Sequence, residues 1–92
     1  MTNLSIAERK RIIEEIESAV ADNSLSIGEA IRRIRTEFYG MTQTRYATFT
    51  RVSDKTLRDI EKGNTDPRLS VVSKLLAPGG FQLSARFFKR VI

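Results

Sequence analysis

The stretch DKTLRDIEK places hydrogen-bond donors and acceptors close together. At helical spacing Lys55, Arg58 and Asp59 fall on one face. Arg58 and Lys55 can donate to O6 and N7 of guanine, whereas Asp59 or Asp54 can accept from the N4 amine of cytosine. Such a mixture suits the direct reading of base edges. Lys55 and Asp59 lie four residues apart and can also form a solvated ion pair, for which nucleic acid would compete.

The same stretch is expected to be a helix with a signal at each end. Ser53 can accept a hydrogen bond from a backbone N–H of the first turn. Gly63 can end the helix in the left-handed conformation, which strains glycine least. Leu57 and Ile60 lie opposite the charged face and predict its packing on a core. The sequence therefore predicts a short helix with one apolar and one polar face.

A second helix is expected directly before this one. Thr42 can cap it, and Tyr46 and Ala47 would face the partner helix. A small residue such as Ala47 lets two helix axes cross closely. Val52 would fill the inside of the turn between them. The segment 42–63 is thus predicted to be a helix-turn-helix that presents its second helix to DNA.

These residues resemble the signature of the Cro and phage-repressor family, also called XRE-type. The resemblance covers about residues 26–81 and implies a lambda-repressor-like, all-α helical bundle. The residues that carry it are Thr42, Gln43, Ala47, Val52, Ser53, Thr56, Leu57, Ile60, Glu61, Gly63, Asp66 and Pro67.

The resemblance also implies roles for individual side chains. It places Asp54, Lys55, Arg58 and Asp59 against base edges. It implies a buried ion pair between Arg35 and Glu61. The side chains expected to contact or lie near DNA phosphates are Gln43, Thr42, Arg45, Arg51, Thr56, Lys62 and Asn64. For Lys62 and Asn64, ordinary turn chemistry is the other interpretation.

The chain departs from the family pattern at three places. Arg51 stands where the family usually has glycine, and a left-handed arginine would cost about 1 kcal/mol. Either the turn has a different shape or Arg51 is tolerated for a phosphate contact. Thr50 replaces an apolar residue, and Phe49 is expected to supply the missing apolar contact. The connection from Thr36 to Gly40 is one residue longer than usual.

Three segments follow from these motifs: an N-terminal amphipathic helix in residues 1–25, the DNA-binding domain in 26–80, and a strand or tail in 81–92. Ser5 and Glu8 form a capping box for a helix to about Ala21, whose apolar stripe includes Ile6 and Ile16. Ser26 opens the next helix, and Pro67 suits the first turn of the last one.

After the last predicted helix, the spacing of apolar residues along the chain changes. Apolar and polar residues alternate there, which predicts a short β-strand used in dimerisation, with Phe81, Leu83, Ala85 and Phe87 on one face. A lone strand must pair, and a second copy of the chain is its simplest partner. Antitoxins of the Hip and Hig type look similar in this respect. The alternative is a fifth helix of the bundle that begins near Phe81.

The amino-acid composition limits the functions that this chain could have. Residues 1–25 carry a net charge of −2 and residues 26–92 a net charge of +7, so the basic excess belongs to the part that holds the motif. The chain has no histidine and no cysteine, which excludes imidazole and thiolate chemistry. We therefore expect no enzyme, cofactor or metal. The early charged residues exclude a signal peptide, so we expect a cytoplasmic, nucleoid-associated protein without membrane contact.

The predicted function is an autoregulatory repressor that binds double-stranded DNA as a homodimer at an inverted-repeat operator of its own operon. The first alternative is an antitoxin whose main role is to bind and neutralise a toxin protein, with DNA binding for autoregulation. The second alternative is an RNA-associated or coactivator use of the same fold.

Overall fold

The computed structural model describes residues 4–84, and within them the chain forms five α-helices. They are α1 (Ile6–Ala21), α2 (Ile27–Arg33), α3 (Gln43–Thr50), α4 (Asp54–Lys62) and α5 (Leu69–Leu76). A π-helical turn, Ile34–Phe38, continues α2, and a 3₁₀ turn, Ala77–Gly79, follows α5. This helical architecture is consistent with the predicted helix-turn-helix bundle. Among the described helices, none has the length and apolar character that crossing a membrane requires.

Hydroxyl side chains start four of these helices, as the sequence predicts. Each accepts a hydrogen bond from the amide three residues further on, and the four residues are Ser5, Ser26, Thr42 and Ser53. Ser26 has the complete capping box, because its own amide also donates to Glu29 Oε1 at 3.1 Å. That backbone hydrogen bond lowers the pKa of Glu29. The starts of these four helices were therefore well specified by local sequence, whereas α5 begins at Leu69, two residues after Pro67.

The core lies between α2, α4 and α5 and is shared by α1. Ile31, Ile34, Leu57 and Leu75 are completely buried. From α1, the buried residues are Ile12 and Ile16. The expected α1 stripe was too wide at its start, since Ile6 is 89% exposed. Helix α1 is therefore packed on the bundle by its middle and not by its first turn.

Helices α2 and α4 approach each other closely at Gly28. A Cβ atom at this position would lie 2.2 Å from the carbonyl oxygen of Ile60. Only a residue without a side chain fits here, because the obstructing atom belongs to the backbone of α4. Glycine at this position thus fixes how deeply α4 sits against α2.

The extra residue before Gly40 is absorbed by the π-helical turn. A π turn contains one more residue than an α turn, so it takes up an insertion without breaking the helix. The residues of this turn that are buried are Ile34, Arg35 and Phe38. After it, the amide of Met41 donates to the carbonyl of Arg35 at 3.1 Å. The longer connection therefore changes the end of the helix and leaves the following motif intact.

The predicted C-terminal β-strand is wrong for the residues that the structure describes. Phe81–Ser84 form neither a strand nor a helix. Gly80, with φ of +80°, turns the chain, and the amide of Phe81 donates back to the carbonyl of Leu76 at 3.3 Å. Phe81 and Leu83 are half-buried against the core of their own chain.

This packing explains the correction. Phe81 and Leu83, the two described members of the alternating set that predicted a strand, pack against the core of their own chain. Ala85 and Phe87, the other two residues of the predicted dimerisation face, lie outside the described residues.

Candidate DNA-binding surface

The turn between α3 and α4 has the left-handed conformation that glycine usually supplies. Arg51 adopts φ 60° and ψ 41°, and the amide of Val52 donates to the carbonyl of Ala47 at 3.0 Å. Of the two possibilities left open by the sequence, a differently shaped turn is thus excluded. Ala47 is buried between the helices, and Val52 packs on the core from inside the turn.

The two unusual residues before the turn are accommodated in different ways. The Thr50 side chain is buried, and its hydroxyl donates to the carbonyl of Tyr46 at 2.7 Å. Its polarity is thereby satisfied within α3. Phe49 remains 52% exposed. Its ring lies 5.5 Å from the ring of Tyr39 and 6.2 Å from that of Tyr46, centroid to centroid. The apolar contact expected of Phe49 is therefore an aromatic cluster near the surface.

Helix α4 displays two ion pairs on its outer face. Lys55 Nζ lies 2.7 Å from Asp59 Oδ2, and Arg58 Nη2 lies 3.2 Å from Asp54 Oδ2. Both pairs join residues four apart, so they run side by side along one turn. The hydrogen bond to Asp59 raises the pKa of Lys55. Lys55 is largely exposed and Arg58 about half exposed, so both cations can reach a ligand.

Asp54 is held from α3 as well as from its own helix. The Thr44 hydroxyl lies 3.3 Å from Asp54 Oδ2, the same oxygen that faces Arg58. The other oxygen, Oδ1, is buried and has no hydrogen-bond partner within residues 4–84. Asp54 stands in the first turn of α4, where backbone amides and the helix dipole favour a negative charge. Its carboxylate is therefore directed partly into the protein.

A buried ion pair joins α4 to the π-helical turn. The Arg35 guanidinium donates to both oxygens of Glu61, at 2.8 and 3.0 Å, and Nη1 donates to the carbonyl of Met41 at 2.8 Å. The Arg35 and Glu61 side chains are 10% and 4% exposed. Gln43 Nε2 donates to Glu61 Oε1 at 3.0 Å. The network thus connects the start of α3 with the end of α4.

The comparisons with known proteins agree with this geometry. The family model described as helix-turn-helix, of the XRE type, matches residues 31–82, which is more than half of the chain. The chain belongs to this helix-turn-helix family. It contains the DNA-binding domain of an XRE-type transcription regulator, and the family is not an enzymatic one. Neither the curated proteins nor the solved structures gave a match.

Within this helix-turn-helix domain the predicted DNA-contacting residues lie around α3, the turn and α4. Arg45, Arg51, Lys62 and Asn64 are exposed, whereas Gln43 is half-buried by its bond to Glu61. The hydroxyls of the expected phosphate set are engaged locally: Thr42 accepts from the amide of Arg45, and Thr56 accepts from the Ser53 hydroxyl at 2.6 Å. The amide of Asn64 donates to the carbonyl of Asp59.

Two participants of the site were missed from the sequence. Thr44 contacts Asp54 across the turn, and the carbonyl of Met41 accepts from Arg35. No spacing rule connects Thr44 with Asp54, because they lie on different helices and meet only after the turn has formed. The Met41 carbonyl is a backbone atom and leaves no trace in residue type.

Proposed function

We propose that this helix-turn-helix protein is a repressor that binds an inverted-repeat operator as a homodimer and regulates its own promoter. The observation that carries the proposal is the polar face of α4, where two cations and two carboxylates stand in pairs on a helix fixed to the core. A surface with donors and acceptors at set positions suits the reading of base edges, whereas phosphate binding needs positive charge alone.

The side chains divide into two groups by chemistry. Arg58 and Lys55 can donate to guanine, and Asp59 can accept from cytosine, each good contact giving about 1–3 kcal/mol of discrimination. The exposed Arg45, Arg51 and Lys62 can bind phosphates and so fix the register of α4. The net charge of +7 in residues 26–92 supports such non-specific attraction.

The size of α4 supports a dimer. With nine residues, Asp54–Lys62, the helix is about 14 Å long and can follow only a few base pairs. Two copies related by a twofold axis read two half-sites about 34 Å apart, which explains why helix-turn-helix operators are inverted repeats. The contact between the copies is proposed without the C-terminal strand.

Gel-shift titration against the DNA upstream of the gene tests the proposal. Arg58→Ala should weaken binding to the operator and relax its sequence preference. Arg11→Ala is the matched control. Arg11 is also an exposed arginine, and it forms an ion pair with Glu15, four residues further along α1. This control lies outside the family-matched segment 31–82 and should leave operator binding almost unchanged.

The dimer is tested with the operator itself. Insertion of about five base pairs between the half-sites places them on opposite faces of the duplex and should remove most of the affinity gained from the second copy. Equal binding to both duplexes would contradict the dimer. Binding that Arg58→Ala leaves unchanged would contradict base reading by α4 and favour the RNA-associated use of the fold.

The antitoxin alternative was supported by two surfaces that a plain repressor would not require. One of them, α1, places Ile12 and Ile16 in the core, so packing already accounts for its presence. The other was the C-terminal strand, whose described part packs on its own chain. The repressor is therefore the preferred proposal. A neighbouring toxin gene whose product forms a stable complex with this protein would reverse that preference.

A further inference from the structure

Between Asp54 and Asp59 the outer face of α4 is electrically neutral although it belongs to a basic domain, and Lys62 adds a positive charge only at the end of the helix. Asp54, Lys55, Arg58 and Asp59 carry two positive and two negative charges, and each cation is paired with one carboxylate. A helix that only had to attract DNA would gain from removing the acids, because phosphate binding grows with positive charge. The two carboxylates therefore call for a different explanation.

The two pairs differ in how firmly the acid is held. The Lys55–Asp59 pair is short, at 2.7 Å, but among the described residues the Asp59 carboxylate is held only from its own helix. Asp54 Oδ2 accepts a hydrogen bond from the Thr44 hydroxyl and lies 3.2 Å from Arg58 Nη2, and Asp54 Oδ1 is buried. Rotation of the Asp54 side chain would break the contact with α3. The Asp54 carboxylate is thus a fixed point on the surface, and Arg58 is the side chain it fixes.

We propose that Asp54 is a positioning residue that sets sequence selectivity by holding Arg58 in the orientation for guanine. The inference rests on the proposed operator-binding function and deepens it. Arg58 has five N–H donors, and Asp54 engages Nη2. Donors remain for the two guanine acceptors, so the ion pair with Asp54 persists in the complex with the correct sequence.

The same pair acts against incorrect sequences. Where no guanine is available, Arg58 can gain a partner only by turning to a phosphate, and it must then leave Asp54. The loss of this ion pair weakens binding in the non-specific complex, whereas the specific complex keeps the pair. Selectivity arises from this difference between two complexes, as it does wherever an interaction is arranged against the wrong partner. Asp54 contributes to it without contacting a base.

The experiment compares Asp54→Asn with wild type on the operator and on a scrambled duplex over a range of salt concentrations. The variant should bind the scrambled duplex more tightly and discriminate about fivefold less for each half-site, the lower end of what one guanine contact contributes. Each newly freed Arg58 adds about one phosphate contact, so the salt slope on scrambled DNA should steepen by about 0.9 for each copy of the chain in the complex. Between about 50 and 200 mM salt this amounts to an additional loss of about 3.5-fold in affinity for each copy.

Two further variants separate positioning from charge. Asp66→Asn changes the net charge equally in the exposed loop after α4 and should leave discrimination unchanged. In an Arg58→Ala background, Asp54→Asn should no longer alter discrimination, because the residue it positions is absent. Persistence of the effect in that background, or an equal effect of Asp66→Asn, would overturn the proposal. Circular dichroism of each variant checks that the helices are retained.

The outcome also distinguishes this inference from the proposed function. If wild type shows no preference for the operator over scrambled DNA, the proposed function fails and the inference fails with it. If wild type discriminates and Asp54→Asn discriminates equally well, only the role of Asp54 is refuted.

Discussion

The buried ion pair between Arg35 and Glu61 permits a quantitative test of how the two DNA-contacting helices are held. Arg35→Met removes both hydrogen bonds to the carboxylate and keeps most of the side-chain volume. Glu61, only 4% exposed, would then retain a single partner, the amide of Gln43. Burying a carboxylate without its counter-ion is strongly unfavourable, because neither solvent nor the remaining neutral donor replaces the lost charge.

The expected loss is large on the scale of the whole fold. Removing one partner of a buried pair costs about 3–5 kcal/mol. A chain of 92 residues has a total free energy of unfolding of about 5–14 kcal/mol, so the single variant should lose about a fifth of it or more. Arg35→Met combined with Glu61→Leu leaves no buried charge. The double variant should therefore be less destabilised than Arg35→Met alone, by about 2 kcal/mol or more.

Urea denaturation followed by far-UV circular dichroism measures these energies, and the double-mutant cycle isolates the interaction between the two side chains. The double variant has a second use. It leaves Gln43 without its acceptor Glu61, so it should bind operator DNA less tightly than wild type even where its fold is stable. Single variants that each lose less than about 1 kcal/mol, with additive effects, would show that the pair is solvated and refute this reasoning.

Two further predictions concern α3. Arg51→Gly should stabilise the fold by about 0.5–1 kcal/mol in urea denaturation, since a left-handed conformation strains arginine and not glycine, whereas Arg51→Ala should give no gain. Burial raises the pKa of the Tyr46 hydroxyl above its ordinary value of 10.0. The unfolded chain thus releases this proton first, so stability present below pH 10 should fall as pH rises above it. Tyr46→Phe should lose about 1 kcal/mol of unfolding free energy at neutral pH, because the hydrogen bond to the Leu75 carbonyl is absent. The stability of this variant should decline less steeply at alkaline pH than that of wild type.

Local signals in the sequence were sufficient for the helix-turn-helix itself. A capping hydroxyl and the amide it binds lie three residues apart, so their geometry depends little on the rest of the chain. The same holds for Gly63, which ends α4 in the left-handed conformation, and for the Lys55–Asp59 pair within one turn. The family match over residues 31–82 confirms the resemblance from which the roles of the surface residues were inferred.

The prediction of a C-terminal β-strand was wrong because it depended on more than local signals. Alternation of apolar residues shows that one side of a segment is covered but not what covers it. Phe81 and Leu83 are covered by the core of their own chain after Gly80 turns the backbone, and an extended segment without strand pairing has the same alternation. The turn at Gly80 and the bond from the Phe81 amide to Leu76 are local, but the packing of Phe81 and Leu83 on the core is a tertiary contact that no local pattern shows.

The additional residue before Gly40 shows where local and tertiary control meet. The length of the connection is visible in the sequence, yet a loop or a wider helical turn would accommodate it equally well. The π-helical turn joins Arg35 and Met41 twice, once through the Met41 amide and once through the guanidinium on the Met41 carbonyl. A looped-out residue would separate these two groups and remove one of the three attachments of the guanidinium. Because Glu61 holds the guanidinium from across the bundle, the bond from Arg35 to the Met41 carbonyl favours the π turn over the loop.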